Sequence, residues 1–172
     1  MTAIDRAIIA AFESFSHRVQ RATGMSCFVL AAICAVVWAS IVILEMCDSI
    51  ARHRMTGVDY VLDGFCVLFG IQYAFFSTDE RDALDRLSQR VGNPRKVMGV
   101  YRVIRVAQFG LTEFVLFLFM LYRDRESFLL MSASAVFLCF LYFEACDPLP
   151  PCTGKIGEWF ASMRLRACEE KP

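Results

Sequence analysis

Apolar residues in this chain gather into four long runs, Met25–Leu44, Val58–Phe76, Val97–Tyr122 and Phe128–Phe143, covering roughly half of its 172 residues. A helix rising 1.5 Å per residue needs about 20 such residues to cross a hydrocarbon layer about 30 Å thick, and the first and third runs meet that length outright. The second is interrupted by Asp59 and Asp63 and the fourth is the shortest. Together they predict four spans at about 25–45, 57–76, 97–122 and 127–145, a transmembrane domain over residues 25–145.

The flanks follow a different rhythm. Over residues 1–24, Ile4, Ala7, Ile8, Ala11, Phe12, Phe15 and Val19 recur at three- and four-residue spacing, with Asp5, Arg6, Glu13, His17, Arg18 and Gln20 on the other face. This is the pattern of an amphipathic helix. Phe12 and Phe15 are candidate anchors in the headgroup layer of a lipid bilayer; the alternative is a helix packed against the protein's own cytoplasmic face. The tail over 146–172 begins with a proline-rich exit from the fourth span, Cys146-Asp147-Pro148-Leu149-Pro150-Pro151-Cys152, which cannot continue a helix. From Gly154 to Ala167 it turns amphipathic again, with Trp159 and Phe160 as further candidate surface anchors.

The central loop, 77–96, is helical in pattern as well. Ser77 and Glu80 form a capping box, Leu84, Leu87 and Val91 a narrow stripe, and Gly92, Asn93 and Pro94 a stop, which predicts a helix from Asp79 to about Val91. Its charged residues read as a solvated face with helix-spaced ion pairs. Between the third and fourth spans, Arg123, Asp124, Arg125 and Glu126 make a connection so short that the two helices must be antiparallel neighbours.

Composition strengthens the membrane reading: 57% of residues are hydrophobic, 16 are Phe, and mean hydropathy is +0.48. The formal net charge of zero offers no electrostatic basis for binding nucleic acid. Local charge then gives the spans a direction. Arg6, Arg18 and Arg21 precede the first span, Arg81, Arg86, Arg90, Arg95 and Lys96 occupy the central loop, and Lys155, Arg164, Arg166 and Lys171 lie in the tail. The opposite side receives only Arg52, Arg54, Arg123 and Arg125. The excess of basic residues places both termini and the central loop in the cytoplasm. Residues 1–22 show no continuous apolar core of a cleavable signal, so the first span is expected to direct insertion. Arginine outnumbers lysine fifteen to three, a bias of GC-rich coding that favours a bacterial inner membrane, with an organellar membrane as the alternative.

The candidate chemistry lies inside the spans, where an ionisable residue costs at least a few kcal/mol. Asp63, about 10 Å below the outer end of span two, and Glu113, about 13 Å below the outer end of span three, sit at similar depth. Asp59 shares a helix face with Asp63. Asp59, Asp63 and Glu113 thus form a candidate polar site, positioned to share a proton or bind a cation. The simpler reading gives them a packing role through hydrogen bonds to Tyr60, Gln108, Thr112 or a partner subunit. Arg102 and Arg105 lie towards the cytoplasmic end of span three, where their stems can reach the interface. Their three-residue spacing imitates a voltage sensor but stops at Gln108 and Phe109.

Eight cysteines raise redox or metal chemistry, and their placement argues against it. Cys27, Cys34, Cys66 and Cys139 fall within spans, where a thiol acts as a small hydrophobe. Cys47 stands alone in the outer loop, so the paired outer cysteines of four-span, quinone-linked disulfide-forming enzymes are missing. Cys146 and Cys152 are poorly spaced for zinc and have no nearby histidine. His17 and His53 lie outside the spans, which leaves no paired haem ligands within them. No Walker loop, GxSxG or HExxH motif occurs. The DxxxDG string from Asp59 to Gly64 lacks the Ala-Arg and later Asp pairs of lipid-headgroup transferases.

The sequence therefore predicts an all-α integral membrane four-helix bundle with amphipathic cytoplasmic N- and C-terminal helices, without catalytic residues, cofactor or metal. Its expected role is a non-enzymatic structural or interaction component of a membrane assembly, with the bilayer and a protein partner or second copy as its contacts. A small proton- or cation-coupled transporter and a membrane-shaping protein are the alternatives.

Overall fold

The computed structural model describes residues 2–52, 61, 64–68, 70–72, 94–123, 125–149 and 154. All regular structure among them is helical: α1 (Thr2–Thr23), α2 (Cys27–Ala51), the short α3 (Pro94–Val97), α4 (Gly99–Tyr122) and α5 (Arg125–Ala145). Three of these, α2, α4 and α5, contain stretches long and apolar enough to cross a membrane. Residues 61, 64–68 and 70–72 of the second expected span are helical too. The remainder of that span, the loop helix expected from Asp79 to Val91 and the tail helix after Gly154 lie outside the described residues.

α5 is the central element. It packs extensively against α2 along one side and α4 along another, whereas α2 and α4 share no comparable contact. Apolar residues all round suit a helix with neighbours on more than one side. On the α2 side the seam is a ladder of small residues, Ala31, Ala35 and Ala39, one turn apart and all buried. Phe140 and Phe143 fill the space that this ladder leaves, and Trp38 meets Phe137 with ring centroids 5.0 Å apart. Without a hydrophobic force between helices in lipid, such close packing is what holds them together. The ladder also admits the second-span segment: a Cβ added to Gly70 would lie 2.8 Å from Ala39 Cβ and 3.1 Å from the Ala35 carbonyl oxygen.

The α4–α5 seam is more polar. Gln108 Nε2 donates to Ser134 Oγ at 3.0 Å and to its carbonyl oxygen at 3.2 Å, and Thr112 Oγ1 lies 3.0 Å from Ser134 Oγ. Val115 is buried one turn further on, and Phe119 meets Phe128 beyond it. Only two residues join the helices, so they run antiparallel. Arg123 makes the turn with φ 52°, the left-handed conformation that closes a helix, and its N–H bonds the Phe119 carbonyl at 2.8 Å.

α1 ends on Gly24, whose φ of 81° only glycine adopts without cost and whose N–H bonds the Gln20 carbonyl at 2.8 Å. The chain then reverses within three residues into α2. Gly154 of the tail is seated on this corner, where a Cβ would collide with the backbone of Thr23 and Gly24. This return lays α1 across one end of the three long helices, in contact with α2, α4 and α5.

Candidate functional site

The densest chemistry lies where α1 meets the α1-proximal ends of α4 and α5. Its centre is an ion pair between Asp5 on α1 and Arg105 on α4, each side chain only 2% exposed. The guanidinium grips the carboxylate with two bonds, Nε to Oδ1 at 3.0 Å and Nη2 to Oδ2 at 2.9 Å. Nη1 donates to the Arg95 carbonyl at 2.8 Å and Nη2 reaches the Lys96 carbonyl at 3.5 Å. These carbonyls belong to α3, whose terminal C=O groups have no partners within so short a helix. Arg105 therefore caps α3 while holding α1. The Tyr142 ring, 1% exposed, lies 5.9 Å from the guanidinium carbon, and Tyr142 also bonds Asp5 through its side chain. Arg102 Nε stands 3.8 Å from Asp5 Oδ2, too far for a hydrogen bond.

A second group of contacts joins α1 to the exit of α5. Pro148 has no N–H and the chain there cannot form a helix, so the backbone groups of Asp147 and Leu149 need other partners. α1 supplies them from Glu13, His17 and Gln20, at i, i+4 and i+7 on one face. Glu13 Oε1 accepts from the Asp147 N–H at 3.1 Å, and His17 Nε2 lies 2.9 Å from the Asp147 carbonyl oxygen. The Gln20 amide pairs with Leu149 in both directions, donating to its carbonyl at 2.9 Å and accepting its N–H at 3.1 Å. Lys96 closes the group, with Nζ 2.6 Å from Glu13 Oε1 and 2.9 Å from Asp147 Oδ2. Burial alone would lower the Lys96 ammonium, but its hydrogen bonds to Glu13 and Asp147 outweigh that effect and raise it. Arg95 pairs with the buried Glu144 of α5.

The apolar part of this interface is compact. Ile9, Tyr142 and Ala145 form one buried cluster, and Cys27, Phe28 and Cys146 another, with Phe12 packed against both. Phe12 stacks on Tyr142 at 5.3 Å and meets Phe143 edge-on at 4.9 Å. Burial pushes the Cys146 thiol up from its ordinary value, so it is a protonated, unreactive filler at neutral pH.

Of the residues singled out from sequence, Phe12 is half-buried within the protein, while Phe15 remains 55% exposed, its ring tilted against Phe143 at 6.2 Å. Arg105 does not extend to an aqueous interface but is enclosed beneath α1, and Arg102 is half-exposed beside it. Glu113 is exposed on the side of α4 away from α5. Asp59, Asp63, Trp159, Phe160 and Cys152 lie outside the described residues. Sequence reasoning missed Asp5, which it placed on the polar face of the N-terminal helix, and with it Tyr142, Lys96, Glu13, His17 and Gln20. The polar i, i+4, i+7 stripe on α1 was the available signal.

The arrangement is a structural clasp in its chemistry. Its carboxylates and cations are paired to one another, and its histidine faces a backbone carbonyl. Among the described residues, no three His, Cys, Asp or Glu side chains converge where a metal could bind. No protein family, curated protein or solved structure matches the chain at a significant level.

Proposed function

We propose that the chain is a four-span integral membrane protein with both termini in the cytoplasm, acting as a non-enzymatic structural or interaction component of a membrane assembly. The observation that supports this best is the clasp itself. Polar residues of α1, α3, α4 and α5 are engaged in fixing the N-terminal helix and the tail exit across one end of the spans. What remains for partners is the outer surface, where long apolar faces of α2 and α4 are exposed. A bacterial inner membrane suits the arginine-rich composition.

The rival reading, a proton- or cation-coupled transporter built on Asp63 and Glu113, is separated by flux. Purified protein is reconstituted into liposomes, and pH-dependent ion flux is compared with that of Asp63→Asn/Glu113→Gln. The interaction reading expects no flux above protein-free vesicles in either form. Flux in the wild type that disappears in the double variant overturns it.

A further inference from the structure

We infer that α1 is an interfacial helix whose outward side binds anionic phospholipids of the cytoplasmic leaflet. Ile4 and Phe15 enter the acyl boundary, and Arg18 and Arg21 hold headgroup phosphate. This rests on the proposed membrane-spanning reading and names a lipid partner for one surface of it.

An amphipathic helix on a water-soluble protein buries its apolar stripe and leaves its polar residues in solvent. α1 does something else. It gives Asp5, Ser16 and Gln20 to the interior, where they are buried. Ile4, Ala7, Ala11, Phe15 and Arg18 follow one another at three- and four-residue steps, so they form a single stripe, and all five are exposed. Four apolar side chains ending in an arginine are thus turned outwards.

Docking also sorts the charges of the helix. Both of its carboxylates are engaged by the protein: Asp5 is gripped by Arg105, and Glu13 accepts from Lys96 Nζ and the Asp147 N–H. Arg6, Arg18 and Arg21 are all exposed. A sequence that mixes two acids with three arginines therefore folds with its acids turned to the bundle and its arginines turned away. The outward side of α1 is apolar and cationic together.

Its place in the fold selects the occupant. The Phe15 ring lies against Phe143, with centroids 6.2 Å apart. Phe143 is two residues, about 3 Å, from the Ala145 end of α5. The end of a span marks the edge of the hydrocarbon, so Phe15 stands where acyl chains meet headgroups. Anionic phospholipids supply both halves of the match at that level, chains for Ile4 and Phe15 and negative phosphates for the arginines. Ser14, Arg18 and Arg21 are neighbours at three- and four-residue steps and line one groove with Ala10, Glu13 and His17. Two guanidiniums there close on one phosphate, the Ser14 hydroxyl adding a donor, while Lys96 neutralises Glu13.

The test uses the full chain with Phe15→Trp as reporter in a Trp38→Phe/Trp159→Phe background, which removes both native tryptophans. It is reconstituted into vesicles of phosphatidylcholine alone or mixed with phosphatidylglycerol. Brominated acyl chains quench an indole that they touch, and either lipid can carry them. Quenching is expected with both lipids, and more with brominated phosphatidylglycerol than with brominated phosphatidylcholine at equal content. Arg18→Gln/Arg21→Gln should weaken that preference about fivefold for each arginine removed, with helicity unchanged. Ile4→Trp, which keeps the Phe15–Phe143 contact, should report the same result. Emission quenched by aqueous iodide in place of lipid, emission shielded from both as by a protein on this face, or equal quenching by the two lipids overturns the inference. Carbonate extraction of the same vesicles separates these outcomes from failure of the membrane reading, since only the latter releases the protein.

Discussion

Asp5 and Arg105 show how one charged pair can decide the position of a helix. A buried pair gains little over a well-packed apolar one, because desolvation offsets most of the attraction, yet removing one partner strands the other without water. Asp5→Ala and Arg105→Ala are each expected to destabilise the protein by about 3–5 kcal/mol in detergent unfolding. The double replacement Asp5→Leu/Arg105→Met should recover much of that loss. If the single variants unfold as readily as the double one, the pair is not acting as a unit. Two further groups give a pH dependence. Cys146 ionises near its ordinary 9.0 when unfolded but stays neutral in the fold, so its contribution is full below pH 9 and declines above it. Lys96 is raised above its ordinary 10.5, so its contribution is full below 10.5 and disappears as pH climbs through the folded value. Stability should therefore be level in these two groups' terms from pH 7 to 9 and fall beyond, with Lys96→Gln removing the part lost above 10.5. An unfolding midpoint that rises between pH 9 and 11 contradicts both assignments.

Among the elements, α1 separates what periodicity can read from what it cannot. The sequence pattern predicts an amphipathic helix over residues 1–24, and the structure has a helix from Thr2 to Thr23. Periodicity also puts Ile4 and Phe15 on one apolar side with Ile8 and Phe12, and these two are 61% and 55% exposed, while Asp5, Ser16 and Gln20 are buried. The buried stripe runs through Asp5, Ile9, Ser16 and Gln20, three of the four polar, with half-buried Phe12 beside them. Which face docks was decided by partners about a hundred or more residues away, Arg105 and the Asp147–Leu149 backbone, and no local pattern contains them. Arg105 was misleading for a related reason: a long cationic stem near a span end ordinarily reaches water, and only the carboxylate folded back over it holds it inside. The α4–α5 hairpin, by contrast, was legible because its turn is too short for any other arrangement. The alanine ladder of α2 carries its own prediction. Ala35→Leu inserts bulk between Phe140 and Gly70 and is expected to cost about 1–3 kcal/mol, whereas Ile33→Leu on the exposed side should be neutral. Equal unfolding midpoints for the two would show that the ladder is loosely packed.

For the whole molecule, the three membrane-long helices make a polarised object, with α1, α3 and the exit of α5 at one end and the Ala51 and Arg123 turns at the other. The four runs of the sequence anticipated α2, α4 and α5, and the fourth run gains three residues at its start from Arg125 to Ser127. Basic residues predict which end faces the cytoplasm, and Cys47 allows a check because it is exposed on α2 far from the clasp. In intact bacterial cells or right-side-out vesicles, a membrane-impermeant maleimide is expected to label Cys47, and Cys47→Ser should abolish most of that labelling. Labelling of Cys47 only after inside-out vesicles are prepared would reverse the orientation.

The clasp also imposes an order on biosynthesis. α1 leaves the ribosome well before Arg105, Tyr142 and Asp147, which hold it. Until α5 is inserted and its exit strand has emerged, Asp5 has no guanidinium and Gln20 has no Leu149 to pair with. The nascent N-terminal helix must then wait in water, on lipid or with a chaperone, and a chain released after Tyr122 would leave it open to proteases. Docking of α1 is thus a completion signal: a protected α1 reports that α5 and its exit strand have arrived.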